Sequence, residues 1–161
     1  MRVTVRDAGP GDRDTLVGFI RALNLHEHRY KDDRDTTVEG AAAHLTSMED
    51  TIREKGGFLL IGEVDGARAG YLAGSLEVED GAFIVPDRRP FGCVLDIYVD
   101  EKARGKGLSR AMMDEAMARF RAMGLKRATV TALTANPIAN AAYRSLGFGP
   151  TYTTYEKRLD E

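Results

Sequence analysis

The chain has 161 residues, of which 43% are hydrophobic and 30% are charged. This length fits one domain spanning residues 1–161, large enough to bury a core without disulfides or a structural metal. The 23 basic and 25 acidic residues give a net charge of -2. This balance argues against a general nucleic-acid binder or a membrane-surface protein.

Cysteine usage and the apolar runs bear on the compartment. Cys93 is the single cysteine, which excludes an intrachain disulfide and indicates a reducing environment. It lies in the apolar run FGCVLDIYV, which is typical of a small buried side chain. The N-terminus lacks the hydrophobic core of a signal peptide, and no apolar run approaches the length of a membrane span. We therefore expect a cytoplasmic protein.

The first half of the chain predicts a strand, two helices and a hairpin. Val3 and Val5 alternate with polar residues, as in a strand, and a helix follows Pro10-Gly11-Asp12. A second helix is expected from about Val38 to Lys55, after a polar segment. The runs FLLIGEV and ARAGYLAGSLEV are then two strands joined by the turn Asp65-Gly66.

The second half alternates strands and helices. Ala82 to Val85 could extend a strand, and the apolar run GCVLDIYV is a further strand. A helix is expected from about Gly107 to Met123, then the strand ATVTALTA, the short helix NPIANAAYRSLG and a last strand, Tyr152–Leu159. This order predicts an α/β or α+β sheet packed by helices.

The segment KARGKGLS, Lys102–Ser109, lies between the apolar strand and the long helix. It matches neither the P-loop spacing nor the dinucleotide fingerprint. Its glycines allow close approach of the backbone, and free N–H groups at a helix start favour a phosphate or pyrophosphate. Three basic side chains add positive charge there: Arg104, Lys106 and Arg110.

The helix NPIANAAY carries a second polar pattern. Asn136 suits the N-cap and Pro137 the first helical position. At about 100° per residue, Asn136, Asn140 and Tyr143 share one face. Taken singly, each has an ordinary structural interpretation, as a cap, a solvated amide and a partly buried aromatic residue.

Together the two motifs resemble those of the GCN5-related N-acetyltransferases (GNAT). Arg104, Gly107 and Ser109 occupy the positions of Gln/Arg-x-x-Gly-x-Gly/Ala, with Ser109 departing from Gly/Ala. Asn136 and the segment Tyr143–Phe148 match the pattern of an Asn before a helix that ends in Tyr-x-x-x-Gly-Phe. The resemblance implies a central mixed, mostly antiparallel sheet of about six to seven strands, flanked by about four helices.

The resemblance also implies a site for acetyl-coenzyme A. The turn would hold the pyrophosphate through Arg104, Gly105, Lys106, Gly107, Leu108, Ser109 and Arg110. The end of the preceding strand would pair with the pantetheine arm through Ile97, Tyr98 and Val99. The later helix would contribute Asn136, Asn140 and Tyr143.

The activity implied is N-acetyl transfer from acetyl-CoA to a primary amine, directly and through a tetrahedral intermediate. A Tyr hydroxyl, with a pKa of about 10, can protonate a thiolate whose pKa is about 8.5, and the resemblance assigns this role to Tyr143. Asp96 is the nearest candidate for the base, with Glu77 and Glu79 as rivals.

The segment between the first two helices borders the acceptor site in such a fold, which brings in His26, Glu27, His28 and Tyr30, followed by Asp32 and Asp33. A metal at His26-x-His28 is rejected, because no Cys or third His is nearby. The acceptor, a small-molecule or protein amine, stays open, and a homodimer is compatible with the resembled family. Two alternatives also stay open: a non-catalytic acyl-CoA binding or sensor domain, and a transferase of a longer acyl group.

Overall fold

The computed structural model describes residues 1–160. The strands are β1 (Val3–Asp7), β2 (Gly57–Val64), β3 (Ala67–Val78), β4 (Pro90–Val99) and β5 (Ala128–Val130). The α-helices are α1 (Arg13–Glu27), α2 (Val38–Lys55), α3 (Leu108–Ala122) and α4 (Pro137–Ser145). The strands form one sheet in the order β1-β2-β3-β4-β5. The predicted α/β class is confirmed.

The sheet is mixed and mostly antiparallel, as predicted. β1 to β4 pair antiparallel, and β5 pairs parallel to β4. The hairpin between β2 and β3 turns at Asp65 and Gly66, whose φ angles are 51° and 80°. Positive φ at both central residues characterises the tight turn that the sequence predicts there.

Helices cover both faces of the sheet because its strands alternate apolar residues to opposite sides. Leu60 and Leu72 pack with Met112 of α3 in one cluster. Ile61 and Tyr71 pack on the other face, in the cluster that includes apolar residues of α1 and α2. Nowhere in residues 1–160 is a helix both long and apolar enough to cross a membrane.

The predicted count of six to seven strands is too high, since five are present within residues 1–160. Tyr152–Leu159 has no regular secondary structure, and Tyr152 and Tyr155 are 85% and 92% exposed. Within residues 1–160 no strand pairs with this segment, so the predicted last strand is absent. ATVTALTA is a strand only over Ala128–Val130, and Ala82–Val85 forms a turn before a 3-10 helix at Pro86–Arg88.

Candidate active site

A cleft opens where β4 and β5 separate. The two strands pair only from Gly92–Ala128 to Val94–Val130, and β4 then continues without β5 to Val99. The cavity has a volume of about 430 Å³. The end of β4, the turn before α3, the residues after β5 and one face of α4 form its walls. Ligands in open sheets bind in such crevices beyond strand ends.

A β-bulge redirects β4 beside this cleft. Val94 pairs with Gly74 and Asp96 with Ala73, which leaves Leu95 without a partner on β3. Leu95 packs in the α1–α2 cluster, and Asp96 contacts Tyr71 of that same face. Bulges bend a strand and re-aim its side chains. As a result, two consecutive residues, Leu95 and Asp96, face the α1–α2 side.

The turn before α3 presents a row of unused backbone donors. Gly105 and Gly107 have φ angles of 73° and 80°, a left-handed conformation that glycine adopts without steric cost. Within residues 1–160, the six successive N–H groups from Gly105 to Arg110 donate to no protein acceptor. Such a row at a helix N-terminus is suited to an anion.

The predicted members of this turn divide by position. Those that line the cleft are Arg104, Gly105, Gly107, Leu108, Ser109 and Arg110, whereas Lys106 is exposed and does not line it. Arg110 donates to the carbonyl of Ser145 at 3.1 Å. This bond joins the two sequence motifs across the cleft. Ile97, Tyr98 and Val99 of β4 also line the cleft.

The α4 motif has one structural and two cleft-facing members. Asn136 is a buried N-cap that accepts from the N–H of Ala139 at 3.2 Å, and it lines the cleft with Tyr143. Asn140 does not line it. Its amide donates instead to the carbonyl oxygens of Leu133 and Asn136, at 3.0 and 2.7 Å. Asn140 therefore braces the chain that enters α4.

Tyr143 combines burial with nearby negative charge. Burial, followed by the charges of Glu27 and Asp96, raises the pKa of Tyr143 to about 12. A tyrosine hydroxyl is already protonated at neutral pH, and this shift extends the protonated form to higher pH.

Of the residues predicted near the acceptor site, the structure places His26 and Glu27 at the cleft, whereas Asp32 and Asp33 do not line it. Burial, and then the positive charge of Arg104, lowers the pKa of His26. His28 is exposed at the C-cap of α1, and Tyr30 packs edge-on against His26 without lining the cavity.

Asp96 lines the cleft and has two partners on the α1–α2 side. The Tyr71 hydroxyl donates to its Oδ2 at 2.9 Å, and His44 Nε2 lies 2.9 Å from the same oxygen. The bond to Asp96 raises the pKa of His44 against the opposing effect of burial. The rival bases lie elsewhere, with Glu77 bonded to Lys55 and Glu79 facing Arg127.

Sequence reasoning missed His44. On α2 it lies three residues after the buried Ala41 and four before the buried Met48, at the edge of the apolar stripe. That position indicates a histidine close to the sheet. His44 and Asp96 are 52 residues apart in sequence, so their pairing is visible only in the fold. Within residues 1–160, no group of three or more His, Cys, Asp or Glu side chains is arranged to hold a metal ion.

Sequence comparison agrees with this geometry. The family model of the acetyltransferase (GNAT) family matches residues 20–148, most of the chain including the cleft, the turn and α4. The protein belongs to the GNAT acetyltransferase family. No curated protein sequence matches the chain.

Solved structures share the fold at low sequence identity. A mutant of the BH1408 protein from Bacillus halodurans has a TM-score of 0.81 and 20% identity, covering 97% of this chain and 99% of that chain. The aminoglycoside antibiotic 6'-N-acetyltransferase AAC(6')-IG from Acinetobacter haemolyticus has a TM-score of 0.70 and 21% identity, covering 98% and 99%. AAC(6')-Iy, in complex with the bisubstrate analog CoA-S-monomethyl-acetylneamine, has a TM-score of 0.70 and 16% identity, covering 99% and 100%.

Proposed function

We propose that residues 1–161 form one N-acetyltransferase domain that moves an acetyl group from acetyl-CoA directly to a primary amine. The observation that carries this proposal is the combination found in one cleft. Six unused N–H groups lie at its edge, and the protonated hydroxyl of Tyr143 belongs to its wall. A sensor would need the first feature only.

The turn fits the pyrophosphate of a coenzyme A. The N–H groups from Gly105 to Arg110 have no competing protein acceptor within residues 1–160, and Arg104 and Arg110 add positive charge at the cleft. Within residues 1–160, β4 has no strand beside it on the β5 side beyond Val94, which leaves backbone groups of Ile97 to Val99 for an extended ligand. The bound group would supply an activated acetyl thioester. The bisubstrate complex of AAC(6')-Iy supports the same assignment.

Tyr143 is the proposed proton donor. A tyrosine hydroxyl is protonated throughout the neutral range, and the raised pKa of Tyr143 extends that form to higher pH, so the O–H can donate a hydrogen bond to the departing thiolate. The hydroxyl of Tyr143 does not have to ionise before it acts. The charge that develops on the sulfur would be met by a donor already in place.

The acceptor side is acidic. Glu27 and Asp96 both line the cleft, although Glu27 is also bonded to Arg34 at 2.6 Å. A primary amine with a pKa of about 10.4 reaches the enzyme mostly as an ammonium ion, which these carboxylates would attract. Asp96 would then take up the ammonium proton, directly or through water, so that the neutral nitrogen can attack the thioester carbonyl. We therefore propose a cationic small-molecule amine as acceptor, and the fold shared with an aminoglycoside acetyltransferase supports this choice.

The test is a panel of amines incubated with acetyl-CoA while release of free thiol is followed. Polyamines, aminoglycosides, amino acids and lysine peptides form the panel, with propionyl-CoA as a second donor. We expect thiol release with at least one polycationic amine and acetylated product by mass spectrometry. Tight coenzyme binding without turnover on any amine would identify a sensor instead, and faster turnover with propionyl-CoA a longer-acyl transferase.

A further inference from the structure

The carboxylate of Asp96 is held through one oxygen only. Tyr71 and His44 both meet Oδ2 at 2.9 Å, whereas Oδ1 has no partner within residues 1–160. No completely buried side-chain oxygen in those residues lacks a partner, so Oδ1 is accessible to solvent. Because Asp96 lines the cleft, Oδ1 is the oxygen available to an amine.

His44 reaches the cleft only through this carboxylate. It does not line the cavity, and its side chain is 45% exposed against 15% for Asp96. An ionised carboxylate can only accept hydrogen bonds, so the proton in this bond belongs to Nε2 of His44. A change in the protonation of His44 therefore alters the charge next to Asp96 without moving the bond.

We propose that His44 is a positioning residue for acetyl transfer: it fixes Oδ1 of Asp96 toward the acceptor amine and sets the net charge that the pair presents to it. This inference rests on the proposed function. With neutral His44 the pair carries one negative charge and attracts an ammonium ion. With protonated His44 the pair is neutral, and that attraction is lost. Tyr71 holds the carboxylate in both states.

The surroundings of His44 favour its protonated form. The titratable groups that act on it are Asp96 on β4 and Glu27 on α1, and both favour the imidazolium. Tyr71 on β3 stays protonated, because burial and then the charge of Asp96 raise its pKa. Arg34, bonded to Glu27, partly offsets the charge of that carboxylate. The pKa of His44 therefore lies above its ordinary value.

The first measurement needs no turnover. Titration of His44 by NMR in the wild-type protein and in Asp96→Asn reports the pair directly. We expect the pKa of His44 to fall in the variant, because an amide cannot stabilise the imidazolium as a carboxylate does. An unchanged pKa would overturn the pairing and, with it, the inference.

The second measurement compares kcat/KM for the amine in His44→Gln and in wild type, from about pH 5.5 to about pH 9. The Gln amide can donate to Asp96 but cannot take up a proton. We expect the ratio of variant to wild type to be level above the pKa of His44 and to rise below it by up to about tenfold per pH unit. Ionisations of the amine, the coenzyme and His26 cancel in this ratio.

Two variants separate charge from structure. Tyr71→Phe keeps the buried ring and removes one donor to Oδ2, so kcat/KM should fall by about tenfold at every pH while its ratio to wild type stays level. Ser47→Gln places the same new side chain at an exposed position on α2 and should leave the pH profile unchanged.

The outcomes are distinguishable. A level His44→Gln ratio across the whole range overturns the role of His44 and leaves the proposed function intact. A uniform loss of kcat by about a thousandfold also overturns it, since His44 would then itself accept the proton. If no amine reacts, the proposed function is refuted, and so is the role of His44, even if the NMR titration confirms the pair.

Discussion

At the scale of single residues, Tyr143 is the side chain whose chemistry is most sharply defined. Its position at i+7 from Asn136 is readable from the sequence, and so is its place on the polar face of α4. The pKa of about 12 cannot be read from the sequence. It arises from burial and from the charges of Glu27 and Asp96, which α1 and β4 bring to the cleft. The sequence therefore predicts the residue, and the fold sets how far its pKa rises above the ordinary value of about 10.

Tyr143→Phe should lower kcat by about a hundredfold while changing the KM for acetyl-CoA little, because the donated proton matters as charge develops on the sulfur. Thiol release at saturating concentrations of both substrates measures this. Tyr152→Phe, at a tyrosine that is 85% exposed, is the matched control and should be neutral. Full turnover in Tyr143→Phe, with chemistry rate-limiting, would remove the assignment.

At the scale of elements, the turn before α3 is determined by its glycines. Gly107 is the N-cap of α3 with a φ of 80°, and a Cβ added there would meet no atom within 4 Å. Glycine is therefore favoured at position 107 by the backbone conformation and not by a lack of space for a side chain. It keeps the N–H groups of the first turn of α3 directed to one place, which is what an anion site requires.

Gly107→Ala should raise the KM for acetyl-CoA and lower the free energy of unfolding by about 1 kcal/mol, because alanine is strained at this φ. Coenzyme titration and urea unfolding measure the two effects. Gly18→Ala, in the middle of α1 with equally open space, should instead be neutral or stabilising by up to about 1 kcal/mol. Equal coenzyme affinity in Gly107→Ala and wild type would contradict the anion site.

At the scale of the whole molecule, one buried carboxylate ties the start of the chain to the sheet. Asp12 is 2% exposed. It accepts from Arg6 of β1, from Arg68 of β3 and from the N–H of Gly9, all within 3.0 Å. The bonds from Arg6 are the main cause that holds the pKa of Asp12 well below its usual range.

Asp12→Asn should lower the free energy of unfolding by about 2 kcal/mol near neutral pH. This loss is smaller than that for breaking a fully buried ion pair, because Arg6 and Arg68 are both partly exposed. A carboxyl whose pKa is depressed by folding contributes its stability above its unfolded pKa, about 3.9, and loses it as pH falls toward the folded value. The difference between wild type and variant should therefore shrink below about pH 4. Urea unfolding as a function of pH measures it, with Asp114→Asn, exposed on α3, as control. A pH-independent difference would refute the charge-based account.

Short-range sequence patterns were sufficient to predict several of the helices and turns. The bounds of α2, the hairpin at Asp65-Gly66 and the caps of α4 follow from capping residues, turn residues and apolar spacing, each of which acts within a few residues. The last predicted strand failed because a strand needs a partner. Tyr152–Leu159 carries two tyrosines and a leucine among polar residues, but within residues 1–160 no strand lies beside it.

Sequence alone is enough to identify the family and the two motifs of the cleft, since Arg104 to Ser109 and Asn136 to Phe148 carry their signals in short, contiguous spacings. The tertiary structure alone decided which side chains meet across those motifs. It moved Asn140 to a bracing role, left His28 and Tyr30 off the cleft, and brought His44 to Asp96. The physical reason is that a bulge at Leu95 and the packing of α2 on the sheet set these contacts, and neither leaves a mark in local spacing.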